Sequence, residues 1–175
     1  MLRVQIGLIY SAVQLDSGAL GVAYTFPQSR DCASAARRGP LAGSRASRLL
    51  EGLAGPELLA RSLALATANA LLAEGPASPA VHEGDILEHV EIRDGDQVCM
   101  VGCFLPVLAS LQERHVTVKA VDQEPKPRSL PAEEVERLLP ASQVAIITAT
   151  SLINGTLGHL LHLASGGEDG ARLRQ

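Results

Sequence analysis

Aromatic residues are scarce in this chain of 175 residues: it has no Trp, and Tyr10, Tyr24, Phe26 and Phe104 are its whole complement. A nucleic-acid module built on base stacking needs more rings. A basic field is missing too, since 15 Lys and Arg stand against 19 Asp and Glu, a net charge of −4. No nucleic-acid partner is expected without such a field to hold phosphates. The three cysteines, an odd number, make no disulfide framework. Long apolar runs are also absent. The longest, Leu63 to Ala73, is too short to span a bilayer and contains Thr67 and Asn69. The N-terminal apolar stretch is interrupted by Gln5 and Ser11 and does not read as a signal peptide. The expectation is a soluble, cytoplasmic protein without a membrane partner.

What is present is apolar bulk. Hydrophobic residues make up 46% of the chain and charged residues 19%, so general disorder is excluded. The length fits one large domain or two small lobes. Charge favours two: residues 1–80 carry a net +2 and residues 81–175 a net −6. The stretch Gly75-Pro76-Ala77-Ser78-Pro79-Ala80 is the best linker between them.

In residues 1–80, Val4, Ile6, Leu8 and Tyr10 alternate with Gln5, Gly7 and Ile9, which predicts a half-buried strand. Asp16-Ser17-Gly18 is a turn, and Leu20, Val22, Tyr24 and Phe26 alternate again, giving a β-hairpin. Residues 28–45 read as a loop. Arg30, Arg37, Arg38, Arg45 and Arg48 in and after it would bind an anion or simply be solvated. Pro56 suits a helical first turn, Leu58 to Leu72 have helical spacing, and Gly75-Pro76 is a stop. Asn69 lies on or near the apolar face, either as a buried amide bonded to nearby backbone or as a polar group aimed into a cleft.

Residues 81–175 alternate between strand and helix. Asp85 caps a short helix, and Asp94-Gly95 is a turn. Val98–Val101, Val116–Val121 and Val144–Ile147 read as buried strands. Helices are expected to Arg114, over Ala132–Leu139, and from Thr156 to Leu163. The pattern predicts an α/β fold: a small α+β N-terminal lobe, then a Rossmann-like parallel sheet. Ligands in such sheets sit beyond the carboxyl ends of the strands. Three loops converge there, Gly102 to Pro106, Asp122 to Pro127 and Thr148 to Gly155.

Val101-Gly102-Cys103-Phe104 with Pro106 close behind, and Ile146-Ile147-Thr148-Ala149-Thr150-Ser151-Leu152-Ile153-Asn154-Gly155-Thr156-Leu157, resemble the two signatures of a domain of unknown function labelled "putative heavy-metal chelation". Leu65-Ala66-Thr67-Ala68-Asn69-Ala70 resembles its first-lobe helix. The resemblance covers about residues 4 to 164. It implies an enolase N-terminal-like lobe over 1–80, a Rossmann-like lobe over 81–175, and a site between them. The family has a leading helical segment and continues past the last helix with another strand and a Gly-Pro-rich loop. Here the chain runs through Ser165-Gly166-Gly167-Glu168-Asp169-Gly170 into a polar tail, so it looks C-terminally shortened, whether as a fragment, a frameshifted product or a natural form.

The chemistry has several readings. A dinucleotide loop needs G-x-G-x-x-G, but Gly102 stands alone, with Phe104 where the second glycine belongs. Asp122, 20 residues on, is placed like a ribose-binding acid or like a simple strand-end cap. Cys103, Asp122 and His159 are ligand types for a transition metal such as nickel, cobalt or zinc, although no strong spacing supports them. Cys99 is expected to point into the sheet packing, and His159 and His162 share a helical face. Asn154-Gly155-Thr156 is either turn-and-cap chemistry or part of a ligand loop.

The expected function is binding of a small polar or anionic molecule, or a metal chelate, in a cleft between the lobes. Gly102, Phe104, Pro106, Asp122, Thr148, Thr150, Asn154 and Thr156 form the candidate ligand set. Phe104 would wall the pocket, and the Thr and Asn side chains would orient the ligand. Two rivals are a transferase or oxidoreductase using S-adenosylmethionine or an NAD-like cofactor, and a non-catalytic assembly protein. The second draws on the incomplete sheet, whose open edge needs cover from a homo-oligomer or another partner.

Overall fold

The computed structural model describes residues 3–29, 41–75, 84–114 and 116–166. The chain divides into two compact units, Met1–Val81 and His82–Gln175. The linker expected at 75–80 and the arginines 30, 37 and 38 lie, apart from Gly75, outside the described residues.

The first unit holds an antiparallel sheet of β1 (Arg3–Gln5), β2 (Tyr10–Gln14) and β3 (Leu20–Tyr24), in that order. The stretch expected as one strand over 4–10 is thus a strand, a tight turn and the start of another. Gly7 is the physical reason, because a Cβ there would collide with the Tyr10 carbonyl oxygen. The Asp16–Gly18 turn joins β2 to β3 in a register that pairs Tyr10 with Tyr24 and Gln14 with Leu20.

Helix α1 (Ala46–Leu50) and a 3-10 turn over Glu51–Ala54 precede α2 (Leu58–Glu74). Pro56 lies outside α2, whose N-cap is Glu57. The helix covers one face of the sheet. Gly21 makes this approach possible, since a Cβ there would collide with the Ala66 carbonyl and the Ala70 nitrogen. Val13, Ala23, Leu63, Ala66 and Ala70 are buried in the first unit. Asn69 is exposed rather than buried, yet its amide finds backbone: Nδ2 donates to the Val22 carbonyl at 2.9 Å.

The second unit opens with α3 (Ile86–His89), capped by Asp85, whose Oδ1 accepts from the Leu87 N–H at 2.8 Å. A parallel sheet follows, with strands β4 (Gln97–Val101), β5 (Thr117–Asp122), β6 (Ser129–Pro131) and β7 (Val144–Ile147) in the order β6-β5-β4-β7. The short edge strand β6 lies just past the loop expected over Asp122 to Pro127. Helix α4 (Leu105–Glu113) follows β4. A 3-10 turn over Ala132–Glu134 leads into α5 (Val135–Leu138). Helix α6 (Thr150–Asn154) and α7 (Leu157–Ala164) follow β7.

Alternation along the strands sorts the core into two layers. Val98, Met100, Ala120 and Ile146 pack with Leu108 and Leu111 of α4. Cys99 and Val121 pack with Leu138, Leu139 and Leu160, the layer of α5 and α7. Burial on both faces explains why these strands read as continuous apolar runs. The chain steps outward from β4 to β5 and β6, then returns to place β7 on the other side of β4. That reversal makes the β4/β7 boundary the topological switch point.

Candidate functional site

At the carboxyl end of β4 the backbone turns through Gly102, with φ +89°. Its N–H donates to the Val121 carbonyl at 2.9 Å, and the Thr148 N–H donates to the Val101 carbonyl at 2.9 Å. The two bonds prolong both ladders and bring the loops after β4 and β7 side by side. A Cβ on Gly102 would lie 2.9 Å from Thr148 Cβ, 3.0 Å from its Cγ2 and 3.5 Å from Phe104 Cε2. Gly102, Thr148 and Phe104 therefore meet at the switch point. Phe104, the N-cap of α4, keeps 45% of its surface exposed there. Pro106 is exposed in the first turn of α4, where its missing N–H costs no hydrogen bond.

Cys103 turns the other way. It is buried within the α4 layer, with Sγ 3.9 Å from the Pro127 carbonyl. Its backbone N–H donates to Asp122 Oδ2 at 2.8 Å. Asp122 also accepts from the Glu124 N–H at 3.0 Å and from Lys126 Nζ at 2.7 Å. Burial pushes the pKa of this carboxyl up, but the Lys126 hydrogen bond, the two backbone N–H groups and the Lys126 charge outweigh that and hold it below the ordinary aspartate value. Asp122 is a staple between the loops after β4 and β5. A ribose or a cation would have to displace partners it already has.

Thr148 Oγ1 and Thr150 Oγ1 lie 3.0 Å apart, and Ser151 Oγ donates to the Thr148 carbonyl at 2.7 Å. The loop expected over 148–155 thus contains the short helix α6. Asn154 and Thr156 form their own pair: Asn154 Oδ1 accepts from the Thr156 N–H at 3.1 Å and from Thr156 Oγ1 at 2.7 Å. Gly155 takes φ +79°, the left-handed cap of α6. Thr156, expected as a side-chain cap of α7, instead spends its hydroxyl on Asn154. These two residues carry the turn-and-cap chemistry that joins α6 to α7.

The proposed metal ligands are not gathered. His159 Nε2 pairs with Glu136 Oε1 at 2.6 Å on an exposed surface, Cys103 Sγ is buried, and both Asp122 oxygens are engaged. Among the described residues, no group of three His, Cys, Asp or Glu side chains is placed to hold a metal ion. These residues do not fit a cation bound by protein side chains alone. Cys99 is fully buried, and burial pushes its thiol up to about 11.

Sequence reasoning passed over two residues. Lys126 had a visible signal, its spacing of four from Asp122. Glu136 had none, standing 23 positions before His159.

The strand order and the converging loops define a two-unit α/β protein whose second unit is Rossmann-like. Residues 2–72 match one family model and residues 85–169 another, both described as "Putative heavy-metal chelation". The chain belongs to that family. A protein of unknown function from Desulfitobacterium hafniense DCB-2 superposes with a TM-score of 0.72 at 21% identity, over 94% of this chain and 66% of its own. One from Pyrococcus horikoshii, also of unknown function, gives 0.77 at 21% identity, over 95% and 69%. The chain thus spans about two-thirds of the length of each. Among curated proteins, none matches it. No helix among the described residues is long and apolar enough to cross a membrane.

Proposed function

We propose that the carboxyl edge of the second unit's sheet binds a small polar or anionic molecule at the β4/β7 switch point. The observation that carries this reading is the meeting of Gly102, Thr148 and Phe104 at that point. Glycine lets the backbone turn close beside the neighbouring loop, Phe104 offers an exposed apolar wall, and the paired Thr148 and Thr150 hydroxyls supply polar groups. Crevices at such reversals are where sheets of this kind take ligands.

The family description points to a heavy metal. With no three-ligand group among the described side chains, a metal enters this reading as a chelate whose own donor atoms hold it. Nickel, cobalt and zinc suit oxygen and nitrogen chelators of that sort. Asp122 then serves by fixing the Cys103–Phe104 turn rather than by coordinating.

Calorimetry with citrate, nickel citrate and nickel ion tests the proposal. Saturable binding of citrate or its nickel complex, weakened at least tenfold by Thr148→Val and Phe104→Ala, is the expected result. Unchanged affinity in both folded variants, or no binding of either probe, overturns it.

A further inference from the structure

The ion pair of Asp122 and Lys126, 2.7 Å long, is unevenly sheltered: the acid side chain is 11% exposed and that of the lysine 43%. The bonds to Asp122 come from the protein itself. Oδ2 accepts from the Cys103 N–H at 2.8 Å and from Lys126 Nζ, and Oδ1 accepts from the Glu124 N–H. The negative end of the pair is therefore turned inward and the positive end toward solvent. Among the described residues Nζ bonds no group but Asp122, which leaves donors of the ammonium for a ligand.

The place of this cation follows from the shared oxygen. Because Oδ2 holds both Nζ and the Cys103 N–H, Nζ stays within two hydrogen-bond lengths of the backbone between Gly102 and Phe104. Strand β4 lies between β5 and β7. The turn after β4 thus has Thr148 on one flank and the Lys126 ammonium on the other. Other cations of the second unit are engaged differently. Arg128 donates to Gln112 at 3.1 Å, Arg114 donates to the Leu87 carbonyl, and Arg93 and Arg137 pair with Glu91 and Glu134.

We propose that Lys126 is the charge-reading residue of the switch-point site, and that the ligand there is a carboxylate anion rather than a neutral polar molecule. This rests on the ligand-binding reading above and narrows it. Asp122 already holds the ammonium in place, so little side-chain freedom is lost when an anion arrives. The anion takes the remaining N–H donors in charge-assisted bonds while Asp122 keeps its own. Asp122 above all, through its hydrogen bond, holds Lys126 above the ordinary lysine value, so the charge is present throughout the neutral range. The Glu124 charge also reaches Lys126 and opposes an anion. One ammonium beside an acidic neighbour matches the single charge of a carboxylate group better than the double charge of a phosphate.

Calorimetry with citrate, its neutral trimethyl ester and inorganic phosphate is the test, run on wild type, Lys126→Gln, Lys126→Arg and Glu124→Gln. The citrate dissociation constant should rise at least ~10-fold in Lys126→Gln, the loss of a hydrogen bond to a charged group. Lys126→Arg should largely restore it. Added sodium chloride should weaken citrate binding in wild type and do so less in Lys126→Gln. A merely structural role for Lys126 would leave that salt dependence unmoved. Glu124→Gln should bind citrate more tightly, and this decides the matter should Lys126→Gln fail to fold. Citrate affinity and salt dependence unchanged in folded Lys126→Gln, while Thr148→Val and Phe104→Ala still weaken binding, overturn this assignment and spare the site. The ester or phosphate binding as tightly as citrate also overturns it. A wild-type chain that binds neither citrate nor nickel citrate overturns both readings.

Discussion

The backbone N–H of Cys103 donates to Asp122 Oδ2 at 2.8 Å, which ties the loop after β4 to the end of β5. The same carboxylate receives the Glu124 N–H and Lys126 Nζ. Its side chain is only 11% exposed, so the bonds are little diluted by solvent.

Replacing Asp122 by Ala should cost about 1–3 kcal/mol at neutral pH, because a sheltered N–H loses its acceptor. The pH dependence follows from the lowered carboxyl pKa. A group depressed in the folded state contributes stability above its unfolded pKa and loses it as pH falls through the folded value. The gap between wild type and Asp122→Ala in urea unfolding should therefore narrow below about pH 4. A gap constant down to pH 2 would contradict the staple.

Gly102→Ala faces two obstacles, a backbone at φ +89° and the Thr148 side chain 2.9 Å from the new Cβ. A loss of about 1–3 kcal/mol is expected from such strain. Gly18→Ala, also at positive φ but with nothing within 4 Å of its Cβ, should lose less. Chemical denaturation of both variants checks the order.

Gly21→Ala should be the most damaging of the glycine substitutions. Its Cβ meets backbone atoms of Ala66 and Ala70, which cannot rotate away, so α2 must lift from β3. About 3 kcal/mol or more is expected, as for overpacking in a rigid core. A thermal midpoint within a degree of wild type would refute this account of the packing.

The Cys99 thiol, with its pKa pushed up to about 11, holds about one thiolate in a thousand molecules at pH 8. Mass-mapped alkylation of the native chain at that pH should leave Cys99 unlabelled until denaturant is added. Rapid native labelling would show that the buried layer under α5 and α7 opens readily.

His159→Ala should change stability by less than about 0.5 kcal/mol, since its Glu136 partner is an exposed one. It should also leave unchanged any nickel or zinc that elemental analysis finds. A matching loss of metal would return His159 to the ligand set.

Much of this protein was legible in its residues. The apolar run at 98–101 gave a strand because two buried faces leave no polar alternation, and the run at 144–147 gave its neighbour, where Ala145 is exposed. Asp85 announced a cap, Asp94-Gly95 a turn, and Leu58 to Leu72 a helix, since each depends on neighbours a few positions away. The phase of the first sheet was misleading. Leu20, Val22 and Tyr24 alternate as a core face should, yet the helix settled on Gly21 and Ala23 because closeness of approach outweighs side-chain bulk. The structure does not gather the candidate metal set either, for a related reason. Cys103, Asp122 and His159 were chosen by residue type, but their directions depend on Pro127, Lys126 and Glu136.

The sequence by itself determined the longer elements, the α/β class and the loops that carry polar residues, because periodicity, turn chemistry and capping are local. Tertiary structure alone decided that Thr148 lies against Gly102, that the Asp122 carboxylate is occupied, and which face of the first sheet is left open. Those outcomes join residues tens of positions apart, and only packing selects among the partners that chemistry would allow.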